Sequence, residues 1–178
     1  LSLNNTEQIK LLKKGDLDVT FTRQNLNSDE IESLFVLREP LIFILPENHP
    51  LAKYERIPVK ALHGVDFIIL AAEQSLTLHN TILEFAKTHG IEFNIVQKAD
   101  NILFNINSIG MGLGCTILPG YVAPLTMKNT VIRALDVELP YLDLYVSYHK
   151  NSSSSAVHKF VELLTHVFYL NINRNSAI

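Results

Sequence analysis

The sequence predicts an α/β protein made of two units, and three patterns in the residues indicate this class. Apolar residues recur at helical spacing in several segments, for example along Val157–Phe168. Short β-rich runs such as Phe67–Leu70 lie between these segments. The chain begins with a strand-like 1–3, a helix and a strand within about twenty residues, an order typical of a parallel crossover.

In the first unit, Asn5 and Gln8 give a cap-like start to a helix that Gly15 ends. Alternating apolar and polar residues predict a strand from 17 to 23. The β-rich run 34–45 contains Pro40, so we expect two strand segments, or an edge strand with a bend.

The second unit repeats the alternation of strands and helices. We expect a short helix over 58–62, strands over 67–70 and 93–96, and a helix that begins at about Thr77 and ends before Gly90. Helical spacing continues from Ile102 to Ile109 and leads into a glycine turn and a buried strand, 115–118. Further strands are predicted over 131–135 and 142–148, before the last helix.

The glycine turn, with glycines at 110, 112 and 114, comes after a helix and before a strand. A phosphate-binding loop has the opposite order, because the helix N-terminus must point at the phosphate. The order therefore indicates an architectural turn and not a nucleotide site.

Composition limits the function classes. The 178 residues are 47% hydrophobic and 19% charged, as in ordinary globular proteins. The net charge of -3, with no basic stripe, disfavours direct nucleic-acid binding by this chain. A single cysteine excludes an internal disulfide and fits a reducing cytosol. No signal peptide or membrane-spanning run is recognisable, so we expect a cytoplasmic protein with no membrane partner.

Three segments, Gly15–Val19, Glu47–Ala52 and Gly112–Pro119, occur in an order and spacing that resemble a LysR-type transcriptional regulator, in its effector-binding domain. The resemblance covers nearly the whole chain. Thr22-Arg23 also resembles the subset of regulators that respond to aromatic-degradation metabolites.

The resemblance implies a fold similar to type 2 periplasmic binding proteins, with two Rossmann-like subdomains joined by two crossover strands, around 37–45 and 142–148. Subdomain I would comprise 1–38 and 144–178, and subdomain II 39–143. We expect subdomain I to lack its first strand and helix. Promoter DNA would be contacted only through an N-terminal domain absent from this chain, and self-association as a homodimer or homotetramer is implied.

In such a fold, small ligands bind at the carboxyl ends of strands and at helix N-termini. The backbone N–H groups there, together with hydroxyl and amide side chains, suit an anion. The predicted effector-binding residues at the two helix starts are Asn4, Asn5 and Thr6, and Ser75, Leu76 and Thr77. The alternative is that all six are only helix caps.

Three more positions complete the predicted site. Arg23, at a strand end, could pair with a carboxylate ligand, or with Glu39 or Asp100. Asn101, like the nearby Asn105, could hydrogen-bond the ligand or the other subdomain, although capping also explains an asparagine there. Ile117, in the strand after the glycine turn, is the last member of the predicted set.

No catalytic constellation is recognisable. Cys115 has no neighbouring base, and buried packing explains it. The seven histidines show no metal-ligand spacing, and no carboxylate pair or serine triad can be argued. We therefore expect no enzyme, no cofactor and no metal.

The predicted function is the sensing of a small carboxylated metabolite, aromatic or dicarboxylic, that binds between the subdomains. A periplasmic solute-binding protein of the same architecture is the first alternative, and the missing secretion signal argues against it. A dehydratase-like enzyme on the same bilobal fold is the second.

Overall fold

The structure is a computed structural model that describes residues 5–175, and the side chains of 7–167. It divides into two compact units, unit 1 (1–38 and 143–178) and unit 2 (39–142). The strand predicted at 1–3 lies outside the described residues. The helices are α1 Asn5–Lys14, α2 Leu76–Thr88, α3 Ile102–Gly110 and α4 Ser155–Asn175. The strands are β1 Val19–Thr22, β2 Ile31–Pro46, β3 Arg56–Ile57, β4 Asp66–Leu70, β5 Asn94–Ala99, β6 Thr116–Pro119, β7 Thr130–Leu135 and β8 Tyr141–His149.

Unit 1 is built on the antiparallel pair of β1 and β8, with Phe21 opposite Val146. The first part of β2 is bonded to the other edge of β8, where the Ser33 and Ser147 hydroxyl oxygens are 2.5 Å apart. On one face of these strands, Val157 and Val161 of α4 form a small apolar core with Tyr148. The sheet thus has one face covered by the amphipathic last helix, as its spacing predicts.

An ion pair lies near the end of the unit 1 strands. The Arg38 guanidinium donates to both carboxylate oxygens of Asp143, with distances of 2.8 and 3.1 Å. The hydrogen bond from Arg38 is the main reason why the pKa of Asp143 is lowered. Because both side chains are solvent-accessible, the pair contributes less than about 1 kcal/mol to stability.

Strand β2 is continuous over its 16 residues, so of the two alternatives predicted from Pro40, the two separate strand segments are wrong. The Leu41 N–H donates to the Pro140 carbonyl on one edge, so the preceding residue directs its backbone to the other edge. On that edge β6 ends at Pro119, which lies opposite Leu41. Pro40 therefore lies just past the end of the neighbouring strand, where its missing N–H costs no ladder hydrogen bond.

Unit 2 holds the larger core. β6 and β7 both pair antiparallel with β2, and β3 pairs parallel with β7. β4 and β5 form a parallel pair, and Phe67 of β4 makes a parallel bridge to Cys115. The Phe67 ring stacks on Phe93 at 4.1 Å, and the surrounding buried aliphatic residues make one contiguous cluster. β4 is therefore buried from Phe67 to Leu70, as expected for a parallel strand inside a sheet, whereas its partner β5 is mostly exposed.

In the glycine turn that connects α3 to β6, two positions require glycine for different reasons. Gly112 has φ of +80°, a left-handed conformation that ends the helix. At Gly114, a Cβ atom would lie 2.7 Å from the Asp66 carbonyl oxygen. The Cys115 N–H donates to that same oxygen at 2.8 Å, so the glycine allows the chain to approach β4 closely.

A histidine caps the 3-10 helix Pro50–Lys53, and its protonation should weaken that cap. The His49 Nδ1 atom accepts from the Leu51 N–H at 3.2 Å, which requires an unprotonated nitrogen. Burial lowers the pKa of His49 from its usual 6.5, against an opposing effect of Asp66. A lowered native pKa means that this stabilisation is present above pH 6.5 and is lost as the pH falls.

We therefore expect His49→Asn to remove part of the acid sensitivity of unfolding. Between about pH 7 and pH 5, the free energy of unfolding should fall by up to about 1 kcal/mol more in the wild-type chain than in the variant. This is the usual contribution of a helix cap to stability. Urea unfolding at several pH values measures this. Equal acid sensitivity of both chains would show that His49 protonation is not coupled to folding.

Candidate functional site

The carboxyl ends of β4 and β5 lie side by side at one edge of unit 2. The two strands are parallel, and just beyond them the Ala71 N–H donates to the Ala99 carbonyl at 2.9 Å. α2 follows β4 and α3 follows β5, so both helices begin at this edge. Their free N–H groups and dipoles make the edge favourable for an anion.

The start of α2 carries three of the predicted residues. Ser75 is the N-cap, but its Oγ accepts from the Leu78 N–H at 3.5 Å, the outer limit for such a bond. Leu76 is 50% exposed and Thr77 is half-buried. The first turn is held against the strand by His79, whose Nδ1 lies 2.9 Å from the Leu70 carbonyl oxygen. The Ser75 hydroxyl is thus only weakly engaged by the helix.

Asn101, at the start of α3, is used differently. Its Oδ1 accepts from the Phe104 N–H at 2.8 Å, a well-formed cap, and the residue is exposed. The capping role left open for this asparagine is therefore observed. Its position at the same edge as Ser75 still allows its amide nitrogen to donate to a ligand.

Beneath this edge lies a small polar cluster within the core of unit 2. The Ile68 carbonyl accepts from Thr116 Oγ1 at 2.7 Å and from Asn105 Nδ2 at 3.4 Å. Both side chains are completely buried, and within the described part of the chain Asn105 Oδ1 has no hydrogen-bond partner. Thr116 is absent from the predicted set, although a hydroxyl inside the apolar run 115–118 is a signal that could have found it.

Ile117 lies in β6 opposite Phe43, and its side chain is 1% exposed. It belongs to the apolar core of unit 2. Its side chain is therefore enclosed by the core and does not face a ligand in this structure.

The remaining predicted residues belong to unit 1. Arg23 directly follows β1 and is half-buried. Asn5 and Thr6 are the first residues of α1, and the description of side chains begins after them. Asn4 lies outside the described residues. Of the two acids considered for Arg23, Glu39 accepts from the Tyr121 N–H at 2.9 Å, within unit 2.

The residues that the structure describes contain neither a reactive cysteine nor a metal site. Burial, with a further contribution from Asp66, raises the pKa of the Cys115 thiol to about 12, which leaves it protonated. No three histidine, cysteine, aspartate or glutamate side chains between residues 5 and 175 are grouped so that they could hold a metal ion. No described helix has the length and apolar character needed to cross a membrane.

Sequence comparison shows that residues 1–168 match the LysR substrate binding domain family. The chain belongs to this family. Among curated relatives, this LysR substrate-binding domain is 33% identical over 164 residues to the Hca operon transcriptional activator HcaR of Escherichia coli K12. That alignment covers 92% of the chain and 55% of HcaR, so the chain spans about half the length of this relative.

Solved structures agree on the fold. The effector-binding domain of QuiR in complex with shikimate has a TM-score of 0.80 at 20% identity, covering 94% of this chain and 79% of that one. The BenM effector-binding domain with its effector benzoate has a TM-score of 0.79 at 15% identity, covering 96% and 78%. These likenesses confirm the predicted type 2 periplasmic-binding-protein-like fold. Because the matched relatives are transcriptional regulators, they support the predicted family and not the solute-binding alternative.

Proposed function

We propose that this chain is the effector-sensing part of a LysR-type regulator and binds a small carboxylated metabolite, aromatic or dicarboxylic. The observation that carries the proposal is the shared edge of unit 2, where α2 and α3 both begin. Two helix N-termini there favour negative charge, and the Ser75 hydroxyl is weakly engaged by its own helix. Support also comes from QuiR and BenM, since shikimate and benzoate are both carboxylates.

The second half of the site would come from unit 1. There the Arg23 guanidinium would pair with the effector carboxylate, beside the N–H groups and side chains of Asn4, Asn5 and Thr6. In unit 2, Ser75, Leu76, Thr77 and Asn101 would contact the effector, with the Ile117 backbone behind them. An effector of this kind would have to bind one conformational state of the chain more tightly than the others. Only such a difference in affinity can shift their equilibrium.

That shift would reach promoter DNA through a DNA-binding domain outside this chain, in a cytoplasmic homodimer or homotetramer. The bound metabolite would be sensed and not converted. The inert thiol of Cys115 accords with a binding role, because a nucleophile needs a depressed pKa or an adjacent base.

Isothermal titration calorimetry with benzoate, muconate and hydroxycinnamate tests the proposal, with each acid compared with its uncharged amide. We expect at least one acid to bind and its amide to bind about tenfold more weakly, because helix N-termini and Arg23 favour the charge. Indifference to all the acids, or equal affinity for acid and amide, would contradict an anion site.

Thr77→Ala should lower the affinity for the bound acid by about three- to tenfold, the usual range for one hydrogen bond. Thr88→Ala is a matched control, because it removes the same hydroxyl from the other end of α2. The control should leave affinity unchanged. If both variants bind the acid as the wild-type chain does, the start of α2 does not contact it.

A further inference from the structure

The buried polar cluster of unit 2 lies where a strand ladder stops early. The Cys115 N–H donates to the Asp66 carbonyl and the Cys115 carbonyl accepts from the Ile68 N–H, both at 2.8 Å. These two hydrogen bonds make one parallel bridge, between Phe67 and Cys115. The described pairings include no second bridge between β4 and β6. β4 and β6 are thus joined by this single bridge, just before the start of β6.

The next residue of β6 that could continue this pairing is Ile117, and its backbone N–H also points toward β4. Peptide groups alternate along a strand, so Ile117 directs its N–H to the same edge as Cys115. A continued parallel ladder would let that N–H donate to the Ile68 carbonyl. Instead, the side chains of Thr116 and Asn105 donate to this carbonyl. These two side-chain donors therefore occupy the Ile68 carbonyl, where the strand ladder stops.

The Asn105 side chain leaves one of its own polar atoms unsatisfied. Its Nδ2 atom makes a long bond of 3.4 Å to the Ile68 carbonyl, which also accepts the shorter bond from Thr116. Its Oδ1 atom is fully buried and lacks a donor among the residues that the structure describes. A buried acceptor without a donor costs free energy and calls for a physical explanation. The Ile68 carbonyl already accepts a hydrogen bond from the Thr116 hydroxyl. The local structure therefore does not require an amide side chain at position 105.

We propose that Asn105 is a specificity-determining residue of the effector site, and that its Oδ1 accepts a hydrogen bond from a hydroxyl group of the effector. The inference rests on the proposed function and narrows it, because the effector would be a carboxylic acid that also carries a hydroxyl. Asn105 lies one turn after Asn101 in α3, so the edge where α2 and α3 begin is the nearest end of the helix. For an effector hydroxyl to reach this fully buried amide, the ends of β4 and β6 must part locally.

The test has a stability arm that needs no ligand. Asn105→Leu keeps the branched shape and removes the unsatisfied acceptor, so the urea midpoint should equal or exceed that of the wild-type chain. Thr116→Val removes the main donor to Ile68 and should lower the midpoint, whereas Thr116→Ser keeps the hydroxyl and should be milder. If Asn105→Leu lowers the midpoint as much as Thr116→Val, or prevents folding, Oδ1 already has a structural partner and the proposal is wrong.

The binding arm compares benzoate and cinnamate with their ring-hydroxylated counterparts by calorimetry. The wild-type chain should bind a hydroxylated acid about tenfold more tightly than its parent acid, and Asn105→Leu should abolish that ratio while the parent acid still binds. If Asn105→Leu keeps the same preference for the hydroxylated acid, or if the wild-type chain binds the hydroxylated and parent acids equally well, the assignment of Asn105 is overturned. Failure of every acid to bind the wild-type chain contradicts the proposed function itself, which is a different outcome.

Discussion

Gly114→Ala is expected to destabilise unit 2 by about 2–3 kcal/mol, the cost of overpacking a rigid site. The new Cβ atom would lie 2.7 Å from the carbonyl oxygen and 3.0 Å from the carbonyl carbon of Asp66. Both atoms belong to the backbone of β4, where Asp66 is paired with Asn94 of β5, so they cannot move away as a flexible side chain would. The urea midpoint and its slope measure the loss in free energy of unfolding.

Gly64→Ala is the matched control for this substitution. Gly64 has φ of +75°, and a Cβ atom there would meet nothing within 4 Å. The control therefore carries only the strain of a left-handed alanine, about 1–2 kcal/mol. Gly114→Ala should cost more than the control although its φ is not left-handed. If Gly114→Ala destabilises the chain no more than Gly64→Ala does, then β4 and the glycine turn can move apart without loss of stability.

The contribution of Gly114 also shows which parts of the fold can be read from sequence. Hydrophobic spacing is a local property, so it predicted helices and strands whose centres the structure confirms, such as α2 and β4. Gly112 follows the same logic, because a glycine after a helical run predicts a left-handed end. Gly114 could be assigned to the turn, but not to its contact with Asp66, since strand partners are far away in the chain.

Strand pairing explains the main difference from prediction. Pro40 argues locally for a break, and the break is absent because β6 ends at Pro119, opposite Leu41. No window of sequence around Pro40 contains that information. A proline inside a strand pattern therefore marks an unpaired edge position as readily as the end of a strand.

The candidate site shows the same limit. Helix caps have a sequence signal, and Ser75 and Asn101 were both found in this way. Whether a cap is engaged depends on distance, and only the structure separates the 3.5 Å bond of Ser75 from the 2.8 Å bond of Asn101. The unsatisfied Oδ1 of Asn105 is still less predictable, because it follows from the packing of α3 against two strands.

The thiol of Cys115 is expected to be almost inert at neutral pH, although it is the single cysteine of the chain. Burial raises its pKa from 9.0 to about 12, so the thiolate fraction at pH 8 is about a thousandfold lower than in the unfolded chain. Labelling with a disulfide reagent should therefore be slower by at least about this factor in the folded chain. The same chain in denaturing urea supplies the reference rate, because it contains the same thiol without the fold.

The raised pKa also fixes the sign of the alkaline pH dependence. A thiol whose native pKa exceeds its unfolded pKa contributes stability below pH 9, and this stability is lost between pH 9 and about 12. Cys115→Ala should remove this part of the alkaline loss, at the cost of a small cavity. Because Cys115 forms the bridge to β4, labelling also reports separation of β4 from β6. Labelling of the native chain at the rate seen in urea would show that these strands part freely, and would contradict the closed β4–β6 bridge on which the packing of unit 2 depends.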